Sequence, residues 1–238
     1  MIPIQMTTQP DGVTCGPTSL HAIYQYLGDK ISLAEVIKEV HYLKTGGTLA
    51  VLLGCHALKR GYHVELYSFN LQVMDPTWFR LPRNQIIEKL KLQLGYKQNH
   101  KLRVATQAYI KFLRLGGKLL NHNITPHLLR SYFKRRLPVL AGLNSTFLYN
   151  CMREYTGLDN QVIMDDIKGF PCGHFVVLSG YDNKQRHVVV ADPYSANAVS
   201  GDNYYSVKVA RLINSIMLGI MTYDANLLVI HPRGHKLK

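Results

Sequence analysis

The stretch Gln9-Pro10-Asp11-Gly12-Val13-Thr14-Cys15-Gly16-Pro17-Thr18-Ser19-Leu20 joins a polar loop to the start of a helix. The apolar spacing of the next residues predicts that this helix continues to Leu27 and ends at Gly28. Free N–H groups and the helix dipole favour negative charge at a helix N-terminus. Because the thiolate is the nucleophilic form of cysteine, this position predicts Cys15 as a nucleophile.

A nucleophilic thiolate needs a base, and the base needs a group that orients it. His174 begins one β-prone run and Asp192 ends the next, with a turn predicted at Asp182-Asn183-Lys184. In an antiparallel hairpin the start of one strand lies beside the end of the other. The sequence therefore predicts His174 as the base and Asp192 as its neighbour and orienting carboxylate. The side-chain amide of Gln9 and the backbone N–H of Cys15 are the predicted donors to an oxyanion.

These motifs resemble the papain-like cysteine peptidases, in the branch that includes the bacteriocin-leader-processing peptidases. The resemblance rests on Gln-x5-Cys-Gly-Pro at 9–17, Gly-His-Phe-Val-Val at 173–177 and Ala-Asp-Pro at 191–193. The phrases at 140–149 and 224–230 are most similar to a bacterial branch linked to ATP-grasp glutamate ligases and acetyltransferase domains. The resemblance implies Cys15 as nucleophile, His174 as base, Asp192 as orienting residue and Gln9 in the oxyanion hole.

The order of predicted elements gives the same fold class. Helices come first and strands bearing His174 and Asp192 come later, a pattern typical of α+β proteins. We expect a papain-like cysteine peptidase fold with an N-terminal helical layer packed on a C-terminal antiparallel sheet. Residues 1–238 are expected to form a single peptidase domain, with a basic helical insertion at about 80–136. Residues 145–171 are predicted to be irregular and to border the active cleft.

Charge is unevenly distributed along the chain. The formal net charge is +13, and residues 80–118 hold ten Lys or Arg against Glu88 alone. A field of one sign favours acidic partners, so the expected substrate is a peptide or protein of acidic character. A solvated helix face is the simpler explanation of such a run. No nucleic-acid-binding motif accompanies it, so nucleic acid is not an expected partner.

Cysteine and aspartate patterns do not indicate a metal site. The four cysteines (Cys15, Cys55, Cys151, Cys172) include no C-x-x-C pair, and neither a cofactor nor a metal is expected. Asp165-Asp166 is interpreted as a solvated loop rather than a cation site. Cys172 is expected near His174, either as a redox partner of Cys15 or through proximity alone.

The sequence also bears on location. The N-terminus lacks the charged head and apolar run of a signal peptide, and no apolar stretch is long enough to span a bilayer. A catalytic thiol suits a reducing compartment. A cytoplasmic protein is therefore expected, with export by a route that needs no classical signal left open.

The predicted function is that of a cysteine peptidase or amidase, which cleaves a peptide or isopeptide bond through an acyl-enzyme on Cys15. Two alternatives stay open. The same triad would serve an acyl or peptidyl transferase that passes the acyl group to an amine instead of water. A catalytically silent module that binds peptides in the cleft is the alternative from another class.

Overall fold

A seven-stranded sheet with helices on both faces forms the centre of the computed structural model, which describes residues 1–43, 46–97, 99–157 and 161–232. Its α-helices are α1 (Cys15–Tyr26), α2 (Leu33–Glu39), α3 (Ala50–Lys59), α4 (Arg83–Tyr96), α5 (His100–Arg114), α6 (Pro126–Lys134), α7 (Ser145–Tyr149) and α8 (Val209–Leu218). Short 3-10 helices cover Pro76–Arg80 and Gly219–Thr222.

The strands are β1 (His63–Ser68), β2 (Lys118–Leu120), β3 (Val139–Asn144), β4 (Glu154–Thr156), β5 (Val162–Met164), β6 (Gly173–Asp182), β7 (His187–Ala191), β8 (Tyr204–Lys208) and β9 (Asn226–His231). The large sheet has the order β2-β1-β9-β3-β6-β7-β8, and β4 and β5 form a separate hairpin. The expected α+β class is confirmed. Two strands of the sheet nevertheless precede the C-terminal half, and β1 and β2 pair in parallel while the other neighbours are antiparallel.

The central strands are buried on both faces, which explains their nearly continuous apolar sequences. Along β6, Phe175 and Val177 face one core, whereas Val176 and Leu178 face the other. The first core also holds apolar residues of α1, α3 and α5, and the second holds those of α6 and α8. Helices on both faces therefore bury β3, β6 and β9 and hold them in fixed positions.

The N-terminus of α1 packs closely on β6. The Ser19 hydroxyl donates a hydrogen bond to the carbonyl of Phe175 at 3.1 Å. A Cβ on Gly16 would lie 2.7 Å from Thr48 Cγ2, closer than Cβ atoms approach, and would make a tight contact of 3.2 Å with the Phe175 ring. A residue without a side chain at position 16 therefore allows the start of α1 to reach β6.

The prediction that residues 145–171 are irregular is wrong. This segment contains α7 and the β4–β5 hairpin, although Leu158, Asp159 and Asn160 lie outside the described residues. The strands are only three residues long, and both β5 and the nearby Phe170 expose apolar side chains. Such short strands have too little alternation for the sequence pattern to reveal.

The basic segment at 80–136 contains α4, α5, β2 and α6. Its second helix is part of the protein core, since Leu102, Phe112 and Leu113 of α5 are buried there. The charged positions Lys111 and Arg114 of the same helix face outward and, with Lys91, line a surface groove of about 440 Å³. The basic side chains therefore lie on the outer side of helices whose inner side packs in the core.

Candidate active site

Cys15 lies at the edge of a cavity of about 880 Å³ between the N-terminus of α1 and the start of β6. The thiol is free and largely buried. As the first residue of α1, Cys15 has a backbone N–H without an intrahelical acceptor, and the preceding Thr14 makes no side-chain capping bond. Cys15 therefore lies at the N-terminus of α1, and its role as the nucleophile stays a prediction.

His174 and Asp192, two of the predicted site residues, lie side by side. Nε2 of His174 lies 2.8 Å from Oδ1 of Asp192, which confirms that the hairpin makes these residues neighbours. Cys15 lies close enough to act on the charge of the imidazole, and Nδ1 is the ring nitrogen that Asp192 leaves unused. The thiol, the imidazole and the carboxylate are therefore grouped at the N-terminus of α1, the start of β6 and the end of β7.

The charges around His174 favour its protonated form. Burial disfavours the charged ring, but the Asp192 carboxylate and the Cys15 thiolate outweigh burial and raise the pKa of His174 to about 10. For Asp192, burial works against the charge and the neighbouring His174 more than compensates, so its pKa is lowered. The buried Asp192 carboxylate thus favours the imidazolium form of His174.

Asp192 is completely buried and has more partners than the sequence predicted. The hydroxyls of Tyr149 and Tyr205 both donate to its Oδ2, at 2.8 and 2.7 Å. The backbone N–H of Tyr194 donates to Oδ1 at 2.9 Å. These bonds fix the carboxylate and keep one oxygen directed at the imidazole. Tyr149 lies in a stretch that supported the resemblance, but neither tyrosine carries a sequence signal for this contact.

Gln9 lies in the loop before α1. Its backbone N–H donates to the carbonyl of Pro193 at 2.8 Å, which ties this loop to the residue after Asp192. Its Nε2 donates to the carbonyl of Asp11 at 2.7 Å. A primary amide has two N–H groups, so one remains for an oxyanion. The oxyanion role of Gln9 stays a prediction.

The cavity also contains ionisable groups that the sequence did not single out. Asp224 follows the 3-10 helix at 219–222 and is only 6% exposed. Burial raises the pKa of Asp224 to about 7, although a hydrogen bond from Thr222 and the charge of Lys101 act in the opposite direction. Glu154 of β4 lines the same cavity. The sequence did not point to Glu154 because β4 was not predicted.

The other cysteines differ from Cys15 in their surroundings. Cys172 also lines the cavity, and burial together with Glu154 raises its pKa, so that it remains a thiol at neutral pH. Burial in the core raises the pKa of Cys55 to about 11. Neither position has the helix N-terminus and imidazole that surround Cys15.

Within the described ranges, no cluster of three or more His, Cys, Asp or Glu could hold a metal ion. The side chain of Asp165 instead accepts the backbone N–H groups of Ile167 and Lys168, as expected for a turn. None of the helices in the described ranges has the length and apolar character required to cross a bilayer.

Two comparisons with known proteins found similarities to this chain. A model of the Peptidase C39 like family matches residues 125–214, which include His174 and Asp192. Among solved structures, a protein from Bacillus anthracis that is provisionally described as a C39-like peptidase matches with a TM-score of 0.51 and 14% identity. The match covers 99% of this chain and 98% of that one. No curated protein matches the sequence.

The fold is therefore that of the C39-like peptidases, and the family match at 125–214 points to a cysteine peptidase as the class of protein. The matched segment begins at residue 125 and therefore does not include the N-terminal helix that holds Cys15.

Proposed function

We propose that this protein is a cysteine peptidase or amidase that cleaves a peptide or isopeptide bond through an acyl-enzyme on Cys15. The observation that carries the proposal is the grouping of the Cys15 thiol with His174, which is hydrogen-bonded to the buried Asp192, at the edge of a cavity large enough for several residues of a peptide. A thiolate, a base and an orienting carboxylate are the parts that acyl transfer requires.

In the first half-reaction, the thiol proton passes to His174 and the sulfur of Cys15 attacks the substrate carbonyl. The backbone N–H of Cys15 and the amide of Gln9 stabilise the negative oxygen of the tetrahedral intermediate. The C–N bond then breaks, and His174 donates its proton to the leaving amine. An acyl-enzyme on the sulfur and a free amine are the products of this half.

In the second half-reaction, neutral His174 takes a proton from water, and the resulting hydroxide attacks the acyl-enzyme. The C–S bond breaks, the proton returns to the sulfur, and the carboxylic acid leaves. Asp192 holds the ring in position and stabilises its positive charge without becoming protonated. If an amine replaces water, the same intermediate gives transfer instead of hydrolysis.

The sequence also supports a location, a domain extent and a substrate class. We place the protein in the cytoplasm and treat 1–238 as one peptidase domain with the basic segment 80–136 as an insertion. An acidic substrate remains part of the proposal because of the exposed cations on α4 and α5. Of these helices, α5 contributes Lys101 to the cavity, whereas Lys111 and Arg114 line a separate groove. An acidic segment of the substrate would therefore bind outside the cleft.

A peptide-library digest with the wild-type protein and the Cys15→Ala variant tests the proposal. We expect cleavage by the wild type and none by the variant, with amine adducts of the acyl products if transfer occurs. Exposed charges are screened beyond about 8 Å at physiological salt, so an acidic preference that depends on α4 and α5 should weaken as salt rises. Cleavage that survives in Cys15→Ala, or binding of peptides without any acyl-enzyme, would contradict the hydrolase.

A further inference from the structure

Asp224 lies directly beside the backbone that leads into the base His174. A Cβ on Gly173 would lie 1.9 Å from Asp224 Oδ2 and 2.7 Å from Thr222 Oγ1, so the carboxyl group packs against the glycine itself. Gly173, Asp224 and Cys15 all line the same cavity. The carboxyl group is thus part of the wall along which a peptide bound to Cys15 would lie.

No ion pair joins Asp224 to a basic side chain within the described residues. The positive charges that act on Asp224 are those of Lys101 and His174. The Nζ of Lys101 donates to the carbonyl of Thr222 at 3.3 Å and lies 4.8 Å from the centre of the Tyr223 ring. Lys101 is therefore already bound to the loop that carries Asp224. A buried carboxyl group without a paired cation is costly to ionise, and a positive charge from a ligand would lower that cost.

A second carboxylate points to the same ligand chemistry. Glu154 lines the cavity near Cys172 and helps to raise the pKa of that thiol. Cys172 and Gly173 are consecutive, so the two acidic side chains flank one short piece of backbone. In the part of the lining that the structure describes, two carboxyl groups thus accompany Lys101, the single basic side chain there.

From this geometry we propose that Asp224, together with Glu154 of the same cavity wall, forms a specificity subsite for a Lys or Arg side chain of the substrate next to the scissile bond. The inference rests on the proposed function. It adds a basic residue next to the scissile bond, which the basic surface of the protein would not by itself predict. The raised pKa of Asp224 agrees with it, because a carboxyl group at the edge of ionisation gains most from a cationic partner. An acidic segment bound to α4 and α5 is compatible with a basic residue in the cleft.

The test uses sets of fluorogenic peptides that differ at one position flanking the cleaved bond, where Lys, norleucine or Glu is placed. Wild type, Asp224→Asn, Glu154→Gln and Asp182→Asn are compared. Asp182 is a matched control, since it is an exposed aspartate in the β6–β7 turn that accepts the N–H groups of Lys184 and Gln185. Circular dichroism and thermal unfolding establish that each variant is folded.

We expect the wild type to prefer Lys over norleucine at one position by about 10-fold or more in kcat/KM, which is the value of one charge-assisted contact. Asp224→Asn should remove most of this preference, Glu154→Gln a smaller part, and Asp182→Asn none. Equal rates for Lys and norleucine in the wild type, or an unchanged preference in Asp224→Asn, would overturn the subsite.

Binding separates failure of the subsite from failure of the proposed function. The same peptides are titrated against Cys15→Ala and against Cys15→Ala with Asp224→Asn, and binding is measured by fluorescence anisotropy. If the wild type cleaves nothing but Cys15→Ala binds Lys peptides more tightly in an Asp224-dependent manner, the hydrolase fails and the subsite stands. If cleavage occurs without any charge preference in rate or binding, the subsite fails and the hydrolase stands.

Discussion

Replacing Asp192 by Asn tests the electrostatic contribution of its carboxylate, because the substitution removes the charge and keeps the shape of the side chain. The Asn side chain has one orientation that satisfies its neighbours: its oxygen must face Nε2 of His174 and the N–H of Tyr194, because both donate to Oδ1 in the wild type. Its NH2 group then faces Tyr149 and Tyr205, whose hydroxyls can turn from donating to accepting. The ring of His174 should therefore keep its position and lose only a charged neighbour.

The size of the effect follows from the charge balance at His174. A pKa of about 10 instead of the ordinary 6.5 corresponds to roughly 5 kcal/mol of net stabilisation of the imidazolium, at 1.36 kcal/mol for each pH unit. Asp192 is the larger of the two favourable charges, ahead of the Cys15 thiolate. A single charge at this range shifts a pKa by about 1–3 pH units. In Asp192→Asn the pKa of His174 should thus fall by about that amount.

The assay is the pH profile of kcat/KM with a fluorogenic peptide, together with the profile of iodoacetamide inactivation. Because the imidazolium must protonate the leaving amine, activity is present below the pKa of His174 and is lost as the pH rises through it. The alkaline limb of Asp192→Asn should move to lower pH by about 1–3 units. Activity at neutral pH should fall less than in Cys15→Ala, and Asp182→Ala should behave as the wild type. An alkaline limb that does not move would refute the charge-based role of Asp192.

Three further substitutions have defined outcomes. Gln9→Ala should lower kcat by roughly 10²–10³-fold, the value of one oxyanion donor, and leave the alkylation rate of Cys15 largely unchanged; an equal fall in both rates would contradict the oxyanion role. Tyr205→Phe removes one of the bonds to a buried carboxylate and should lower the free energy of unfolding in urea by about 1.5–3 kcal/mol, whereas Tyr96→Phe, at a position 87% exposed, should change nothing. Gly173→Ala should lower the free energy of unfolding in urea by about 1–3 kcal/mol, because the added Cβ would overlap Asp224. In Gly180→Ala, in the same strand, the added Cβ has its one tight contact with the flexible Met1 side chain at 3.1 Å, so the loss of folding free energy should be smaller.

The sequence was informative where contacts are local in the chain. His174 and Asp192 are 18 residues apart in one hairpin, so strand and turn signals sufficed to place them together. The start of α1 at Cys15 was also predictable, since it depends on a loop followed by apolar helical spacing. Pairing of Cys15 with His174 spans much of the chain, and the family resemblance supplied what spacing alone does not.

Contacts that depend on distant pairing were not predictable. Tyr149 and Tyr205 reach Asp192 from α7 and β8, and each looks like an ordinary aromatic residue in its own element. Asp224 reads as a turn residue until β9 pairs with β3 and brings it beside Gly173. The β4–β5 hairpin that carries Glu154 is too short for a periodic pattern. Long-range register places all of these groups, and a local pattern holds no information about it.

Trapping the acyl-enzyme tests the central claim most directly. The protein is mixed with a slight excess of an activated peptide ester at low pH, where deacylation is slow, and intact mass and peptide mapping locate the adduct. We expect one acyl group per molecule, on Cys15, and no adduct in Cys15→Ala. An acyl group on Cys172, Cys55 or Cys151, or no adduct on the folded wild type, would contradict the assignment of Cys15 as the nucleophile.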